Sequence, residues 1–339
     1  MSKFLLEVKN LSVEFRTNRS VVPAVRDVSW AISRGETLAI LGESGSGKSV
    51  SASAVMGLID CPPGRITSGQ AIFQGSDLLK LSPTERRQIN GRKIAMIFQD
   101  PLAHLNPVYP VGWQIAEAMR IHGTDAQNAR KRTIELLDRV GLPNPAQRLD
   151  DFPHQFSGGQ RQRIMIAMAV ALKPDLLIAD EPTTALDVTV QAQILDLLKE
   201  LQQETGMGLL LITHDLGVVA QIADRLVVMK DGQVVESGDV LDVFQSPKHD
   251  YTRMLLEAVP GKAEFREPKK SDEVLIEVRN LFKEYRLSSN PFSSNGSGVL
   301  KALDDVSFDL NRSETLGIVG ESGSGKTTVA RALLRLTQP

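Results

Sequence analysis

Residues 37–49 read TLAILGESGSGKS, an apolar run that leads into a loop of small residues ending in Lys48 and Ser49. A helical stretch follows, from Ser49 to about Leu58, and completes the strand, loop and helix typical of a phosphate-binding loop. Glycines allow backbone N–H groups to turn inward around a phosphate, and the helix adds its positive N-terminal end. The predicted nucleotide-binding residues of this loop are Gly42, Glu43, Ser44, Gly45, Ser46, Gly47, Lys48 and Ser49.

The metal ligands and the base that phosphate chemistry needs are predicted from this loop and from one later strand. The spacing places the Lys48 ammonium at the β- and γ-phosphates and the Ser49 hydroxyl on Mg²⁺. Residues 176–181, LLIADE, form an apolar run that ends in two acids. We expect Asp180 to hold the Mg²⁺ shell and Glu181 to orient or deprotonate the attacking water. On their own, two acids at a strand end are equally compatible with a solvated surface, and the preceding phosphate loop favours the catalytic interpretation.

The opening of the chain is repeated near its end. Residues 8–11 (VKNL) return as residues 278–281 (VRNL), and residues 24–59 align with residues 302–337. Such a repeat predicts a second structural unit of the same kind. Its phosphate loop is predicted to comprise Gly320, Glu321, Ser322, Gly323, Ser324, Gly325, Lys326 and Thr327, with Thr327 as the metal ligand. Ser313 replaces Gly35 before this loop, and we expect the substitution to alter a turn.

The repeat predicts the domain organisation. Residues 1–257 are predicted to form one complete nucleotide-binding domain, and residues 274–339 the N-terminal part of a second one, ending after its phosphate-loop helix. Residues 258–273 are polar, charged and interrupted by Pro260 and Pro268, which is typical of a linker. A fragment of a tandem protein and a natural terminal stub are both compatible with this pattern.

Composition excludes several classes of protein. The net charge is −2 (39 Lys and Arg against 41 Asp and Glu), so non-specific attraction to nucleic acid or anionic lipid is not expected. The single cysteine, Cys61, excludes an intramolecular disulfide framework and a cysteine-ligated cluster. No apolar run reaches the length of a spanning helix, and acid occurs too early for a signal peptide. We expect an intracellular protein that reaches a membrane only through partners.

Short apolar runs alternate with helical stretches through the first copy. Strands are expected at residues 37–41, 94–98, 176–179 and 209–213, as in a sheet buried on both faces. Residues 188–202 are expected to form an amphipathic helix. Residues 227–229 and 234–236 flank an Asp-Gly pair and predict a hairpin. The fold class is therefore α/β, with a mainly parallel sheet and some antiparallel decoration.

Residues 156–160, FSGGQ, precede a helical stretch and could form a second anion site or a plain helix cap at Ser157. Together with the phosphate loop and the paired acids, this order of motifs resembles the ATP-binding cassette (ABC) family of ATPases. The resemblance implies a P-loop NTPase (RecA-like) core, an antiparallel β subdomain and an inserted helical subdomain at about residues 103–170. It also implies ATP and Mg²⁺ as cofactors.

Further site residues follow from that resemblance. It implies that Gln99 is the Q-loop residue, a catalytic group and metal ligand, and that His214 is the switch histidine. It implies that Phe15 stacks on adenine, with Tyr285 as its counterpart in the second copy. The implied signature and D-loop residues, which complete a nucleotide site on a facing cassette, are Ser157, Gly158, Gly159, Gln160 and Asp187.

Residues 98–107 (FQDPLAHLNP) and 246–256 (SPKHDYTRMLL) resemble the oligopeptide, dipeptide and nickel importer subfamily, and the tandem arrangement resembles its fused members. This resemblance implies an ATP-binding subunit that couples ATP hydrolysis to uptake of peptides or a related small solute. The implied partners are transmembrane permeases, through them a solute-binding protein, and a second cassette in the same full-length chain or a second copy. The implied location is peripheral, on the cytoplasmic face of the inner membrane, without nucleic acid.

The alternative is a soluble, non-transport ABC ATPase acting on nucleic acid or ribosomes. Chromosome-maintenance relatives carry long coiled coils between the phosphate loop and the signature, whereas residues 49–156 show no heptads. Excision-repair relatives carry zinc-binding cysteine pairs there, and translation-factor relatives have a long helical linker. A non-catalytic regulatory cassette is disfavoured because Lys48, Asp180, Glu181 and His214 are all present.

Overall fold

The computed structural model describes residues 4–17, 20–184, 186–258, 273–286, 299–321 and 323–338. The chain divides into two compact units. The larger includes Met1–Leu186 and Val190–Gly261, and the smaller includes Lys262–Pro339. Most of the predicted linker and the loop at residues 287–298 lie outside the described residues.

The larger unit alternates strands and helices. In chain order, its elements are β1 (Leu6–Arg16), β2 (Val21–Ile32), β3 (Thr37–Leu41), α1 (Lys48–Met56), β4 (Gly64–Phe73), β5 (Ser76–Asp77), α2 (Pro83–Ile89), β6 (Ile94–Ile97), α3 (Pro101–His104), α4 (Val111–Ile121), α5 (Ala126–Arg139), α6 (Gly158–Val170), β7 (Leu176–Asp180), α7 (Val188–Thr205), β8 (Gly208–Thr213), α8 (Leu216–Ile222), β9 (Arg225–Lys230), β10 (Gln233–Asp239), α9 (Val240–Gln245) and α10 (Asp250–Glu257). Single 3-10 turns lie at Leu78–Lys80, Pro145–Gln147 and Pro153–Gln155.

The central sheet has the strand order β10-β9-β3-β8-β7-β6. Its strands are parallel except for the hairpin of β9 and β10. In the register, Leu41 lies opposite Thr213, and Asp180 lies opposite Ile212. The loops that follow β3, β7 and β8 therefore leave the sheet side by side at its carboxyl edge, where ligands bind in open α/β sheets.

Alternation along the central strands divides the core into two faces. Leu38 and Ile40 pack with α1 and with an antiparallel sheet of order β2-β1-β4-β5. Leu177 and Ala179 face the other side, where helices α4, α5, α6 and α7 supply the apolar partners. Helices α4, α5 and α6 lie within the region where an inserted helical subdomain is predicted.

The predicted elements of the first copy form with small changes at their ends. The apolar runs become β3, β6, β7 and β8, and the amphipathic helix becomes α7, with Ile194, Leu198 and Leu201 buried. The Asp-Gly hairpin also forms, because Asp231 and Gly232 both adopt positive φ angles of 50° and 79°. The α/β fold class predicted from the sequence is confirmed.

The smaller unit contains β11 (Val274–Arg286), β12 (Val299–Asn311) and α11 (Lys326–Leu333). Its hairpin repeats that of β1 and β2 in hydrogen bonding. The Asn10 side chain donates to Asp27 and its backbone N–H to Ser29 (2.7 and 2.9 Å). At the corresponding positions of β11 and β12, Asn280 makes the same two bonds, with its N–H 2.8 Å from Ser307 Oγ. The sequence repeat is thus a structural repeat.

Two details of the smaller unit differ from simple expectation. Ser313 adopts φ 65°, close to the 67° of Gly35, so the substitution leaves the turn unchanged. Residues 315–319 have no strand structure, although they correspond to β3. In the larger unit β3 pairs with β8 and β9, and a strand of this kind forms only when partners complete its hydrogen bonds. Among the described residues, no helix combines the length and hydropathy needed to cross a bilayer.

Candidate functional site

The phosphate-loop sequence folds as a tight loop between β3 and α1. Gly45 and Gly47 have φ angles of 83° and 96°, which favour glycine, and Gly47 is the N-cap of α1. A Cβ on Gly47 would lie 2.5 Å from the Ala24 carbonyl oxygen, and a Cβ on Gly42 would collide with the Met229 carbonyl. The loop is therefore enclosed by backbone on two sides.

Lys48 is buried at the centre of the loop. Its ammonium donates to the carbonyl oxygens of Gly42 and Glu43 at 2.8 and 2.9 Å. Burial lowers the pKa of Lys48, and the negative charges of Glu181 and Asp180 oppose that shift. A desolvated ammonium held only by carbonyls is well suited to bind an incoming phosphate.

Ser49 and Asp180 meet across the edge of the sheet. The Ser49 hydroxyl donates to Asp180 Oδ1 at 2.8 Å. Burial raises the pKa of Asp180, and the Ser49 hydrogen bond counteracts that effect. A hydroxyl and a carboxylate are the hard oxygen ligands that Mg²⁺ prefers. Ser49 and Asp180, two of the three metal ligands predicted for the first site, therefore lie together and fit the ion, while the third, Gln99, bonds to Glu181.

Glu181 is the centre of a second cluster. Its Oε2 accepts from Gln99 Nε2 at 2.8 Å and from the Thr184 hydroxyl at 2.9 Å, while its Oε1 lies 3.1 Å from His214 Nδ1. The backbone of Glu181 has φ 47°, a left-handed conformation that is uncommon for a non-glycine residue. Such strain, of about 1–3 kcal/mol, typically accompanies a functional position.

A pocket of about 430 Å³ joins the phosphate loop to this cluster. Its lining comprises Leu41, Gly42, Glu43, Ser44, Gln99, Glu181, Thr184, His214, Leu216 and Leu255. The first residues of the phosphate loop, the Glu181 carboxylate, the Gln99 amide and the His214 ring thus border one space. The arrangement can bind a phosphate and place a carboxylate against a water molecule beside it.

The signature residues lie on the helical side and hydrogen-bond to one another. Ser157 is the N-cap of α6: its hydroxyl accepts from Gln160 N–H at 3.4 Å, and Gln160 Oε1 accepts from Ser157 N–H at 3.1 Å. Ser157 and Gly158 are exposed. A Cβ on Gly159 would meet Val190 at 2.7 Å. Their N-terminal helix end therefore faces outward rather than into the pocket.

The remaining predicted residues are placed in the following way. Phe15 is half-buried in β1, opposite Val22 and Gly64, and Tyr285 holds the corresponding register opposite Leu300. Asp187 immediately precedes α7. In the second loop, Lys326 donates to the carbonyls of Gly320 and Glu321 at 2.8 and 2.6 Å, as Lys48 does in the first. Gly325 is the N-cap of α11, whose first residues are Lys326 and Thr327. Gly323 has φ 83°, Ser324 N–H donates to the Glu321 carbonyl, and Ser322 lies outside the described residues.

Several residues of the site were not predicted from the sequence, among them Leu41 and Leu216, which line the pocket. Thr184 donates to Glu181, and its place only three residues after that acid could have indicated the contact. The Tyr251 hydroxyl accepts from Glu43 N–H at 3.2 Å, and Leu255 lines the pocket. Tyr251 and Leu255 lie on α10, more than 200 residues after the loop. No local pattern in the sequence indicates that α10 packs against the phosphate loop.

The family model described as ABC transporter matches residues 25–184 and 303–339, together more than half of the chain. The chain belongs to the ABC transporter family. This finding confirms the family predicted from the order of the motifs, and the alignment of two separate segments to one model agrees with the internal repeat.

Two curated ABC proteins illustrate the similarity. The chain is 46% identical to the glutathione import ATP-binding protein GsiA of Salmonella typhimurium (strain LT2), over 99% of this chain and 59% of that protein. It is 47% identical to YejF of Escherichia coli (strain K12), described as an uncharacterized ABC transporter ATP-binding protein, over 99% of this chain and 63% of that protein. The chain thus spans about three fifths of these relatives.

Solved cassettes share the fold. The ATP-binding cassette MJ0796, in a dimeric post-hydrolysis state bound to ADP and Pi, superposes with a TM-score of 0.63 at 29% identity, covering 69% of this chain and 98% of that one. CbiO1 from Clostridium perfringens, part of the transporter complex cbiONQ, has a TM-score of 0.62 at 28% identity, covering 76% of this chain and 97% of that one. These similarities confirm the P-loop NTPase fold.

Proposed function

We propose that this chain binds and hydrolyses ATP as the nucleotide-binding subunit of an ABC importer. The observation that carries the proposal is one pocket at the carboxyl edge of the sheet, bordered both by the phosphate loop that holds Lys48 and by Glu181, which follows Asp180 in the chain. Ser49 in the first turn of α1 and Asp180 at the end of β7, 131 residues apart in the chain, are joined there by a hydrogen bond. The cassette MJ0796, to which this chain is similar, holds ADP and Pi.

The polar residues in and around the pocket have distinct roles in this proposal. Lys48 leaves its carbonyl partners to bind the β- and γ-phosphates, and the loop N–H groups bind the remaining oxygens. Ser49 and Asp180, with Gln99 from the opposite side, would hold Mg²⁺, which when bound neutralises charge on the phosphate oxygens. Glu181 accepts the proton of the attacking water, and His214 and Gln99 orient its carboxylate through the bonds described above.

The adenine and signature residues complete the proposed site. Phe15 would stack on the base, as Tyr285 would in the second cassette. The signature residues 157–160 face outward, and we propose that they bind the nucleotide held by a facing cassette, with Asp187 at the same interface. That cassette is either the second domain of a longer tandem chain or a second copy. Residues 1–257, 258–273 and 274–339 are proposed as first cassette, linker and start of the second.

The transported solute is proposed to be a peptide or a related small compound, and the fused tandem type of importer is part of the same proposal. Support comes from the 46% identity to a glutathione import protein and from the motifs at residues 98–107 and 246–256. The helical segment at about residues 103–170 would dock on permeases, and through them the chain would act with a solute-binding protein. Such a subunit lies peripherally on the cytoplasmic face of the inner membrane. The relatives at this identity favour transport over an ATPase that acts on nucleic acid.

The test is the Glu181→Gln variant, which keeps the shape of the side chain and removes the base. We expect ATP affinity within about twofold of wild type and hydrolysis lowered at least about a hundredfold, the usual contribution of a general base. Glu204→Gln, an exposed acid on α7, is the matched control. Equilibrium titration with ATP and phosphate release would be measured on the 339-residue chain. Hydrolysis by Glu181→Gln at the wild-type rate would refute the assignment.

A further inference from the structure

The segment Ser246–Glu257 is held against β10 by a buried carboxylate. Glu236 on β10 is 9% exposed, and its two oxygens accept from the backbone N–H groups of Lys248 and His249 at 2.8 and 3.1 Å. His249 is in turn the N-cap of α10, where its Nδ1 accepts from Tyr251 N–H at 3.1 Å. The start of α10 therefore has one fixed position.

This position directs Tyr251 into the core beside the phosphate loop. Its side chain is 4% exposed and packs with Ala39 and Leu41 of β3. The ammonium of Lys230 lies 4.8 Å from the centre of its ring. Its hydroxyl accepts from the Glu43 N–H at 3.2 Å. An exposed tyrosine can hydrogen-bond to water, but the hydroxyl of a tyrosine buried this deeply needs a partner within the protein. The phosphate loop supplies that partner.

The bond acts on the peptide group that holds Lys48. The N–H of Glu43 and the carbonyl of Gly42 belong to the same planar unit. The carbonyl of that unit accepts from Lys48 at 2.8 Å, while its N–H donates to Tyr251. Because the unit is planar, fixing its N–H fixes the direction of its carbonyl. Tyr251 makes no hydrogen bond to Lys48 itself in these contacts, so the ammonium can leave the Gly42 carbonyl for a phosphate while the peptide group stays in place.

We propose that Tyr251 is a positioning residue for the phosphate loop: its hydroxyl orients the Gly42–Glu43 peptide and so preorganises the loop for nucleotide. The inference rests on the proposed function, because it concerns binding at that same site. Leu255, one turn later on α10, borders the pocket shared with Glu181 and His214. The segment Ser246–Glu257 thereby lines the nucleotide site through Leu255 and holds the phosphate loop through Tyr251.

The test removes one oxygen atom. Tyr251→Phe keeps the ring and its packing, and Tyr109→Phe, at an exposed tyrosine on the helical side, makes the same chemical change elsewhere. Both are made in the full chain carrying Lys326→Ala, so that the first loop alone is measured. We expect ATP affinity to fall about three- to tenfold in Tyr251→Phe, the loss of one neutral hydrogen bond, and to stay at the reference value in Tyr109→Phe.

Two further readouts separate positioning from stability. Thermal unfolding without nucleotide should be the same for Tyr251→Phe and the reference chain to within about 2 °C, because the ring still fills its place. Amide hydrogen exchange of a peptide spanning residues 41–46 should become faster only in Tyr251→Phe, since Glu43 N–H loses its acceptor.

Each outcome decides the matter. Weaker ATP binding with faster exchange and unchanged unfolding supports the inference. Equal ATP affinity of Tyr251→Phe and the reference chain overturns it and leaves the proposed function intact. An equal loss of affinity in Tyr109→Phe also overturns it. If the reference chain itself binds no ATP, the proposed function fails. In that case, exchange at residues 41–46 that is unchanged in Tyr251→Phe would show separately that the Tyr251 bond does not hold the loop.

Discussion

The Lys48 ammonium is costly to the fold when no nucleotide is bound. It is buried, burial lowers its pKa, and its hydrogen-bond partners are carbonyls rather than an anion. Buried charges usually persist where they serve a ligand. The folded protein tolerates this charge because Asp180 and Glu181 lie close enough to oppose the effect of burial.

We therefore expect Lys48→Met to have opposite effects on stability and binding. Without nucleotide the variant should unfold at a temperature no lower than wild type, because methionine buries no charge. ATP affinity should fall about tenfold or more, since hydrogen bonds to a charged group are lost. Lys199→Met, at an exposed lysine on α7, is the control, and both variants carry Lys326→Ala. Differential scanning fluorimetry and titration measure the two effects, and undiminished affinity would contradict the assigned role of Lys48.

Two glycines of the phosphate loop are required for different reasons. Gly42 has no positive φ, but a Cβ there would collide with the Met229 carbonyl, whereas Gly45 has φ 83° and open space around it. We expect Gly42→Ala to destabilise by about 1–3 kcal/mol through overpacking. Gly45→Ala should cost about 1 kcal/mol through its backbone alone. Denaturant unfolding compares them, and a larger cost for Gly45→Ala would argue against this account.

At this scale the sequence predicted most of the pocket. The spacing of the loop identified Lys48 and Ser49, and the strand ending in Asp180 identified the acids, because parallel strands bring their carboxyl ends together. The bonds of Glu181 to Gln99 and His214 agree with the residues that the family resemblance implied. Tyr251 was missed because its contact depends on how α10 packs, and packing has no local signature.

Among the elements, α10 depends on Glu236 for its placement. Burial by itself would raise the pKa of this carboxyl, but the Lys248 N–H, the Thr252 hydroxyl and the His249 N–H together lower it below the ordinary value of 4.5. A depressed pKa in the folded state gives stability that is present above the unfolded pKa and lost as pH falls through the folded one. The bond between the segment and the sheet should therefore weaken in acid.

We expect Glu236→Gln to lower the melting temperature at pH 7, because an amide presents one acceptor oxygen to two N–H donors. The difference from wild type should begin to shrink as the pH falls below 4.5, where the unfolded chain takes up the proton, and should be lost as the pH falls through the lower pKa of the folded carboxyl. Glu135→Gln, an exposed acid on α5, is the control. Melting temperatures across this range would be compared, and a constant difference at all pH values would contradict the proposed charge dependence.

The turn that follows the second strand of each hairpin can be tested with two residues, because Gly35 occupies it in the larger unit and Ser313 in the smaller one. Gly35 and Ser313 share a left-handed φ, and a Cβ on Gly35 would meet nothing within 4 Å. Gly35→Ser should therefore destabilise the larger unit by about 1 kcal/mol, which is the cost of the conformation without a clash. Chemical denaturation followed by the two tryptophans, Trp30 and Trp113, reports on that unit. A cost of several kcal/mol would mean that the turn has a further steric constraint.

At the scale of the whole molecule, structure formed within one segment is the same in both copies, whereas a strand that pairs with distant strands forms only in the larger unit. The hydrogen bonds of Asn280 reproduce those of Asn10, because they arise within a single hairpin. Residues 315–319 remain without strand structure, since a parallel strand takes its hydrogen bonds from neighbours that are distant in sequence. Local signals therefore predicted the phosphate loops in both units and the Asp-Gly hairpin in the larger one, while the strands of the central sheet were predicted only for the copy that contains β7, β8 and β9.

The outward-facing signature leads to a prediction about assembly. The 339 residues contain one FSGGQ sequence, and its exposed glycine and serine lie outside the pocket that contains Glu181. If hydrolysis requires this motif from a facing chain, activity per molecule should increase with protein concentration. Gly158→Asp can inactivate the motif without disturbing the fold, because a Cβ there would make only an ordinary contact with Leu186 at 3.8 Å.

Mixing two inactive variants tests this directly. All chains carry Lys326→Ala, so that only the first loop binds nucleotide. Lys48→Ala removes one half of each composite site, and Gly158→Asp removes the other half, so neither protein should hydrolyse ATP alone. In a mixed dimer, Lys48 of the Gly158→Asp chain faces the intact signature of the Lys48→Ala chain. Random pairing then restores about one quarter of the sites of the parent dimer. Phosphate release from the mixture near that level supports a composite site, whereas an inactive mixture, or hydrolysis by Gly158→Asp alone at the parent rate, would show that each chain acts independently of a facing signature.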